Sequence, residues 1–422
     1  MALDYSLTSA ILKTLFAPGE IPDLFYKISP VFATMKKDPT FGGQGEKVAM
    51  RVNPVQSTSA TFSAAQTAAT NYSTNYQAFT VTPVKKYAIA RITGEMVMAS
   101  QTDRTSFTRS LSAEIKSAQQ SFIQSLEKQI LRDGAGVLGV VGTSGLSTVY
   151  LTLAHYTQAN NFNVGQLVVS AADTASSLQT GSAPSTAIDR DTGILTTTGA
   201  SNWTSQIATI ADGYSIMIAG DYVSAADRLC VSGLTAWNPY STSGLGTAFF
   251  GVTRSADTNR LAGSRLDASG MTIEDGLISS QQKVVDLGQV PNLAIMSGWQ
   301  FRRLVQQLGT KVIYNEMQAR NSAGPMANIG FRTVLIQGAM GPIEVLASPY
   351  QDYAYTSLIN SDNYTLNSMG PLPQILTQGA GAEMIIPVYN EDTYEVRIGS
   401  YLNCKCENPA ANCQTLLDVT GA

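Results

Sequence analysis

The residues whose types could do chemistry are few, and their spacing keeps them apart. His155 is the only histidine among 422 residues. It falls in TLAHYTQ, which predicts a strand, and no Gly-x-Ser-x-Gly elbow accompanies it. A hydrolase triad and a histidine-based metal site are therefore both disfavoured, and a structural or exposed histidine is expected. Cys404, Cys406 and Cys413 form Cys-x-Cys-x6-Cys, yet zinc would need a fourth ligand, and the only other cysteine, Cys230, is remote in sequence. Positions 404 and 406 share one face of a strand, so packing is their expected role. Gly134, Gly136 and Gly139 match the spacing of a dinucleotide fingerprint, a pattern that cradles pyrophosphate only between a strand and a following helix. Here it follows a helix, so it should end that helix and supply a flexible joint. Asp189 with Asp191, and Asp257 with Asp267, lack calcium-loop spacing, and Glu391 with Asp392 reads as a solvated turn. No acid, base and nucleophile converge. The expectation is no catalytic centre, no cofactor and no metal, hence a structural protein rather than an enzyme.

Composition supplies a reason for so large a chain without a site. Asp, Glu, Lys and Arg make up 14% of residues, against about a quarter in an ordinary soluble protein. Surfaces destined to be covered by copies of the same chain shed charge, because each buried ion must be desolvated or paired. Extensive self-association follows as an expectation, although a secreted β-rich adhesin or surface-layer protein fits the same composition. A formal charge of -4 argues against tight, sequence-independent binding to a phosphate backbone. No run approaches the eighteen or so apolar residues that cross a bilayer. The start, MALDYSLTSAILKTLF, lacks the pattern of a secretory signal, which points to the cytosol.

The element best able to organise the chain is a helix over residues 103–132. Phe107, Leu111, Ile115, Ala118, Phe122, Leu126 and Ile130 recur every three or four positions and line one face. The faces between them are polar. Thr102 or Asp103 can cap its start, and Gly134 follows its end. At about 1.5 Å per residue it is roughly 45 Å long, a strut rather than a bundle member.

Upstream, Leu3, Leu7, Ile11 and Leu15 predict a short amphipathic helix, and IPDLFYKISPVFATM reads as an arm laid against something else. EKVAMRVNP and FTVTPVKKYAIARITGEMVMAS then flank a polar stretch at residues 56–77, predicting a long hairpin with a loose tip. Downstream, TVYLTLA, GQLVVSAA, STAID, GILTTTG, SQIATI and YSIMIAG predict closely spaced strands in a small antiparallel barrel or sandwich, with hairpin-turn chemistry at DRDTG. EDGLISSQQKVVD predicts a helix with Ile273, Leu277, Val284, Val285 and Leu287 inward. PNLAIMSGWQFRRLVQQLG gives a strand, a turn and a second helix. Strands follow at TVLIQG, PIEVLAS, YAYTSLI, NYTLNSM and TYEVRIGSYLNCKCENP. The fold class is α+β.

In this order, an arm, a long hairpin, a long helix, a mixed region and a late strand, the chain resembles the major capsid proteins of tailed bacteriophages. IPDLFYKISP, VKKYAIARITGEMVMAS and YEVRIGSYLNCKCENPAA carry the similarity. The resemblance implies the Hong Kong-97 fold: an N-terminal arm at 1–35, an extended β-hairpin loop at 36–101, and a spine helix opening the peripheral domain at 102–147. An inserted β-domain at 148–222, a connection at 223–272, an axial domain at 273–387 and a closing peripheral strand at 388–422 would follow. It further implies hexamers and pentamers in an icosahedral shell around double-stranded DNA that is bound without sequence specificity. Assembly would take place in the host bacterial cytoplasm, with no membrane and with separate portal, decoration and scaffolding proteins as partners. Scaffolding would come from another chain, since Met1 opens directly on the arm. The apolar stripe and the hairpin would carry assembly. Lys85 and Lys86 lie on that hairpin, where some relatives crosslink a lysine to an asparagine, but nothing marks an acceptor here and crosslinking is not expected. An encapsulin-like compartment is the alternative within the same fold.

Overall fold

A computed structural model describes residues 30–55, 57–71, 74–95, 104–142, 146–174, 176–198, 202–222, 224, 228–308, 334–376 and 385–417, with side chains of the long helix described from residue 114. Its central element is the fourteen-residue strand β20 (Thr393–Cys406). β4 (Val84–Thr93) runs antiparallel along one side, from Thr393 opposite Thr93 to Leu402 opposite Val84. The other side is shared by β17 (Tyr364–Ser368), β18 (Gln374–Leu376) and β19 (Ile386–Pro387), and β1 (Lys36–Asp38) extends β17 in parallel.

The first short helix, α1 (Pro30–Thr34), buries Val31 and Phe32 in the same core. Residues 1–29, with the amphipathic helix expected there, lie outside the described residues. The second helix, α2 (Phe62–Asn71), belongs to the hairpin treated below. The long helix, α3 (Arg104–Ile130), lies across β4 and β20 as the apolar stripe requires. Ile115, Phe122, Leu126 and Ile130 are fully buried, and Ala118 packs at the edge of the core. Phe107 and Leu111 fall within the helix, but their side chains lie outside the described residues, as do the proposed caps at 102 and 103. The polar faces are not all solvated: Glu127, Lys128 and Gln129 are buried too. The last turns of α3 enter a three-way junction, where each of these groups has a partner. Ser348 Oγ donates to Glu127 at 3.2 Å, Lys128 Nζ donates to the Asn161 carbonyl at 2.8 Å, and Gln129 Nε2 donates to Cys230 Sγ at 3.0 Å.

The hairpin pairs β2 (Glu46–Asn53) with β3 (Asn75–Val81), and here the sequence reading needs two corrections. The second expected strand is two: Pro83 has no N–H to donate, the ladder breaks there, and the chain turns into β4. Lys85 and Lys86 therefore stand in the large sheet, opposite Tyr401 and Ser400, and not on the hairpin. The tip is also not simply loose, since α2 occupies ten of its residues.

The expected small β region is two antiparallel sheets. β6 (Tyr150–Thr152), β10 (Ile194–Thr196) and β9 (Ala187–Asp189) form one. β5 (Val137–Val140), β11 (Ser215–Ile218), β7 (Leu167–Ala171) and β8 (Ala183–Pro184) form the other. Leu138, Leu151, Phe162, Val168, Leu195, Trp203 and Ile216 make their common core. The unit starts with Val137, earlier than residue 148. SQIATI is not a strand: Asn202 accepts from the Ser205 N–H at 2.8 Å and caps α4 (Trp203–Gln206).

α5 (Leu234–Trp237) and α6 (Thr258–Ala262) lead to a second six-stranded sheet. Its order is β12 (Ser264–Ala268), β21 (Cys413–Leu417), β16 (Tyr355–Ile359), β13 (Leu293–Ser297), β15 (Gly341–Ser348) and β14 (Val334–Gly338). Against it lie α7 (Ile273–Val285), with Ile273, Leu277 and Val284 buried but Val285 and Leu287 only half-buried, and α8 (Gly298–Leu308). The two large sheets do not follow contiguous segments 273–387 and 388–422. β17 and β18 join the first sheet, while β12 and β21 join the second, because long-range pairing rather than sequence order closes each sheet.

Since Leu126 is wholly buried under the first sheet, Leu126→Ala should cost about 2–5 kcal/mol. Urea denaturation of the purified chain measures it; an unchanged midpoint would contradict this packing.

Candidate assembly surfaces

The glycines, cysteines and histidine singled out for chemistry are each absorbed by packing, whereas Asp189, Asp191, Asp267, Glu391 and Asp392 are exposed. Gly134 and Gly136 have φ of +87° and +72°, which only glycine adopts freely, and Gly139 sits inside β5 with the Phe162 ring against it. The run thus ends α3 and feeds a strand, the reverse of a dinucleotide turn. Cys404 and Cys406 lie in the core beneath β20, whereas Cys413 lies in the separate core of the second sheet. All four cysteines are free and buried. Burial pushes the Cys406 thiol up to about 12 and Cys413 up to about 11, so neither offers a thiolate. Among the described residues no group of His, Cys, Asp and Glu could hold a metal.

His155 is not in a strand. It caps the 3₁₀ turn Tyr156–Asn161, with Nδ1 accepting from the Thr157 N–H at 3.3 Å and lying 2.7 Å from Thr157 Oγ1. That acceptor role leaves the proton on Nε2, a buried atom with no hydrogen-bond partner. The ring stacks on Tyr353 with centroids 4.0 Å apart and meets Trp299 edge-on at 5.4 Å. It therefore clips the small β unit to the second-sheet body. Burial lowers its pKa, and nearby Asp352 only partly offsets this.

What remains exposed is surface, and the hairpin holds the most distinctive part. Its root is fastened firmly to its own chain. Val48, Val52, Phe79 and Val81 are buried, with the Phe79 ring 5.2 Å from Trp237. The Thr80 N–H donates to the Phe250 carbonyl at 2.9 Å, Arg260 to the Val52 carbonyl at 2.8 Å, and Asn403 to the Thr82 carbonyl at 2.7 Å. Glu46, at the start of β2, accepts from Lys405 Nζ at 2.9 Å and from Asn367. Burial works against the Lys405 charge, but Glu46 and Glu407 outweigh it and raise its pKa. The tip is the opposite: no residue of α2 is buried, and Phe62 is 83% exposed. This contrast between root and tip, not any cluster of reactive groups, is what sequence reasoning missed. The zero charge of residues 54–77 is the signal that could have found it.

Of the other predicted assembly residues, Phe122, Leu126 and Ile130 are spent on the internal core and Ile115 is buried as well. Lys85 is exposed on β4, and Lys86 pairs with Asp221 at 3.5 Å. No helix of the described residues is long and apolar enough to cross a membrane.

No protein-family model matches the chain, and no curated protein is significantly similar in sequence. Similarity appears at the level of fold. The capsid asymmetric unit of cyanophage A-1(L) matches with a TM-score of 0.50 at 8% identity, over 92% of this chain and 92% of that one. A Mycobacterium phage Adephagia structure gives 0.44 at 9% identity, over 93% and 91% of the two chains. A holo encapsulin complex from Synechococcus elongatus gives 0.40 at 9% identity, over 93% and 89%. The architecture is mixed α+β and is similar to that of the cyanophage capsid subunit. More particularly, the chain adopts the fold of tailed-phage major capsid proteins, the Hong Kong-97 fold.

Because His155 is held neutral by the fold, its contribution to stability is complete above the usual pKa of 6.5 and is lost progressively as pH falls below it. The non-titrating cap variant His155→Asn should therefore lose less stability than the native chain between about pH 7.5 and pH 5. Parallel melts across that range test it, and identical pH slopes would contradict the buried neutral ring.

Proposed function

We propose that this chain is the major capsid protein of a tailed double-stranded DNA bacteriophage, assembling as hexamers and pentamers into an icosahedral head. In this reading the role is structural and not enzymatic. The first sheet with α3 is the peripheral domain, the second sheet with α7 and α8 the axial domain, and the small β unit an insertion on that frame. The protein resides in the virion, after assembly in the host cytoplasm with separate portal, decoration and scaffolding proteins. The net charge of -4 favours a wall that encloses DNA without gripping it.

The observation that carries the proposal is the unsupported helix on a well-anchored stalk. α2 has ten residues, and an isolated helix shorter than about 12–15 residues is marginal in water. No residue of it is buried in its own subunit, yet its stalk buries Val48, Val52, Phe79 and Val81 in the core of the first sheet. A neighbouring subunit is the natural source of the missing contacts. The low charge of the chain as a whole agrees, since each subunit in a shell is covered on several sides.

Deleting residues 56–77 should leave a soluble subunit, because no described residue of that stretch is buried. The variant should fail to form stable shells in sedimentation and electron microscopy. Normal shells from it would defeat the overlapping hairpin.

A further inference from the structure

We propose that the free face of the β2–β3 hairpin is a cationic docking surface for an acidic surface on a second copy of this chain. The inference rests on the shell reading and adds the chemistry of one contact. Residues 47–93 contain five basic side chains, Lys47, Arg51, Lys85, Lys86 and Arg91, and no acidic one. The rest of the chain is left with 22 basic against 31 acidic residues. Charge is thus segregated between a positive segment, with Lys47 and Arg51 on the hairpin and the other three on β4, and a negative remainder of the chain.

Register and burial place two of these cations on the exposed face of the hairpin. Lys47 stands opposite Thr80, Ala49 opposite Ala78, and Arg51 opposite Tyr76. Their face is turned away from the one that buries Val48, Val52 and Phe79, and Lys47, Ala49, Arg51, Tyr76 and Ala78 are all exposed. Lys86 and Arg91 are answered within the chain, by Asp221 and by Glu391 and Glu395. Lys47 and Arg51 have no ion-pair partner among the described residues. The body offers exposed carboxylates in return, including Asp191 and Asp212 on the β unit, Asp275 in α7, Asp286 just beyond it, and Glu344 on β15.

Single exposed ion pairs contribute little stability, so the role of this face is not to glue subunits together. Complementary charge acts on encounter: it raises association rates, disfavours wrong orientations and is screened by salt. It would bring the uncharged tip of residues 54–77 onto its seat in one orientation, after which apolar contact holds it. A nucleic acid is the less fitting occupant, because the acidic body would repel a phosphate backbone that two side chains cannot hold alone.

The test follows shell assembly of the full chain by light scattering from about 50 mM to about 500 mM sodium chloride, where screening lengths shrink severalfold. The native chain, Lys47→Gln/Arg51→Gln, and the charge-keeping Lys47→Arg/Arg51→Lys are compared. The native rate should fall on the order of tenfold across the range. The Gln pair should start slower and lose most of that dependence, and the charge-keeping pair should follow the native curve. If the Gln pair does not fold, as judged by circular dichroism, the single variants carry the same comparison. A Gln pair with native rate and salt response overturns the inference, as does one that assembles normally but no longer retains a duplex DNA fragment the native chain binds. Absence of native shells at every salt concentration would instead overturn the shell reading itself.

Discussion

One contact fixes the rest of the molecule: the burial of one face of a 27-residue helix on the antiparallel pair of β4 and β20. The two strands come from residues about 300 apart, and the helix follows directly on the first of them, so its apolar stripe is what holds the distant segments together. Because Ile115, Phe122, Leu126 and Ile130 are consumed in this way, α3 has no apolar stripe left among its described side chains with which to bind a neighbour. In the proposed shell, assembly would use other surfaces, with the helix as the rigid frame that presents them.

The hairpin shows how that frame is used. Its root is over-determined, with aromatic packing around Phe79, main-chain bonds at Thr80 and Val52, and the Glu46–Lys405 pair. The described residues of its tip have none of these. A rigid stalk limits the entropy lost when the tip settles on a neighbour, because only the tip remains to be ordered. In the proposed shell, the single chain is half of an interface whose other half lies on another copy.

Local patterns were legible where one period ran long enough to dominate. The stripe of α3, the helix at Ile273–Val285 and the strands β13 to β17 follow from spacing alone. Pairing was not legible, because nothing in NYTLNSM announces that it joins TYEVRIGSYLNCKC instead of its sequence neighbour YAYTSLI. Short signals also lost to single residues. Pro83 divided one expected strand, Asn202 turned another into a helix, and His155 left its strand to cap a 3₁₀ turn. One histidine and scattered cysteines are the reason the sequence leads to no expectation of a reactive centre.

Electron microscopy of the purified full-length chain tests the central claim most directly. Closed, icosahedral shells built of hexameric and pentameric rings are the expected result. Planar lattices, or monomers that persist at high protein concentration, would contradict it.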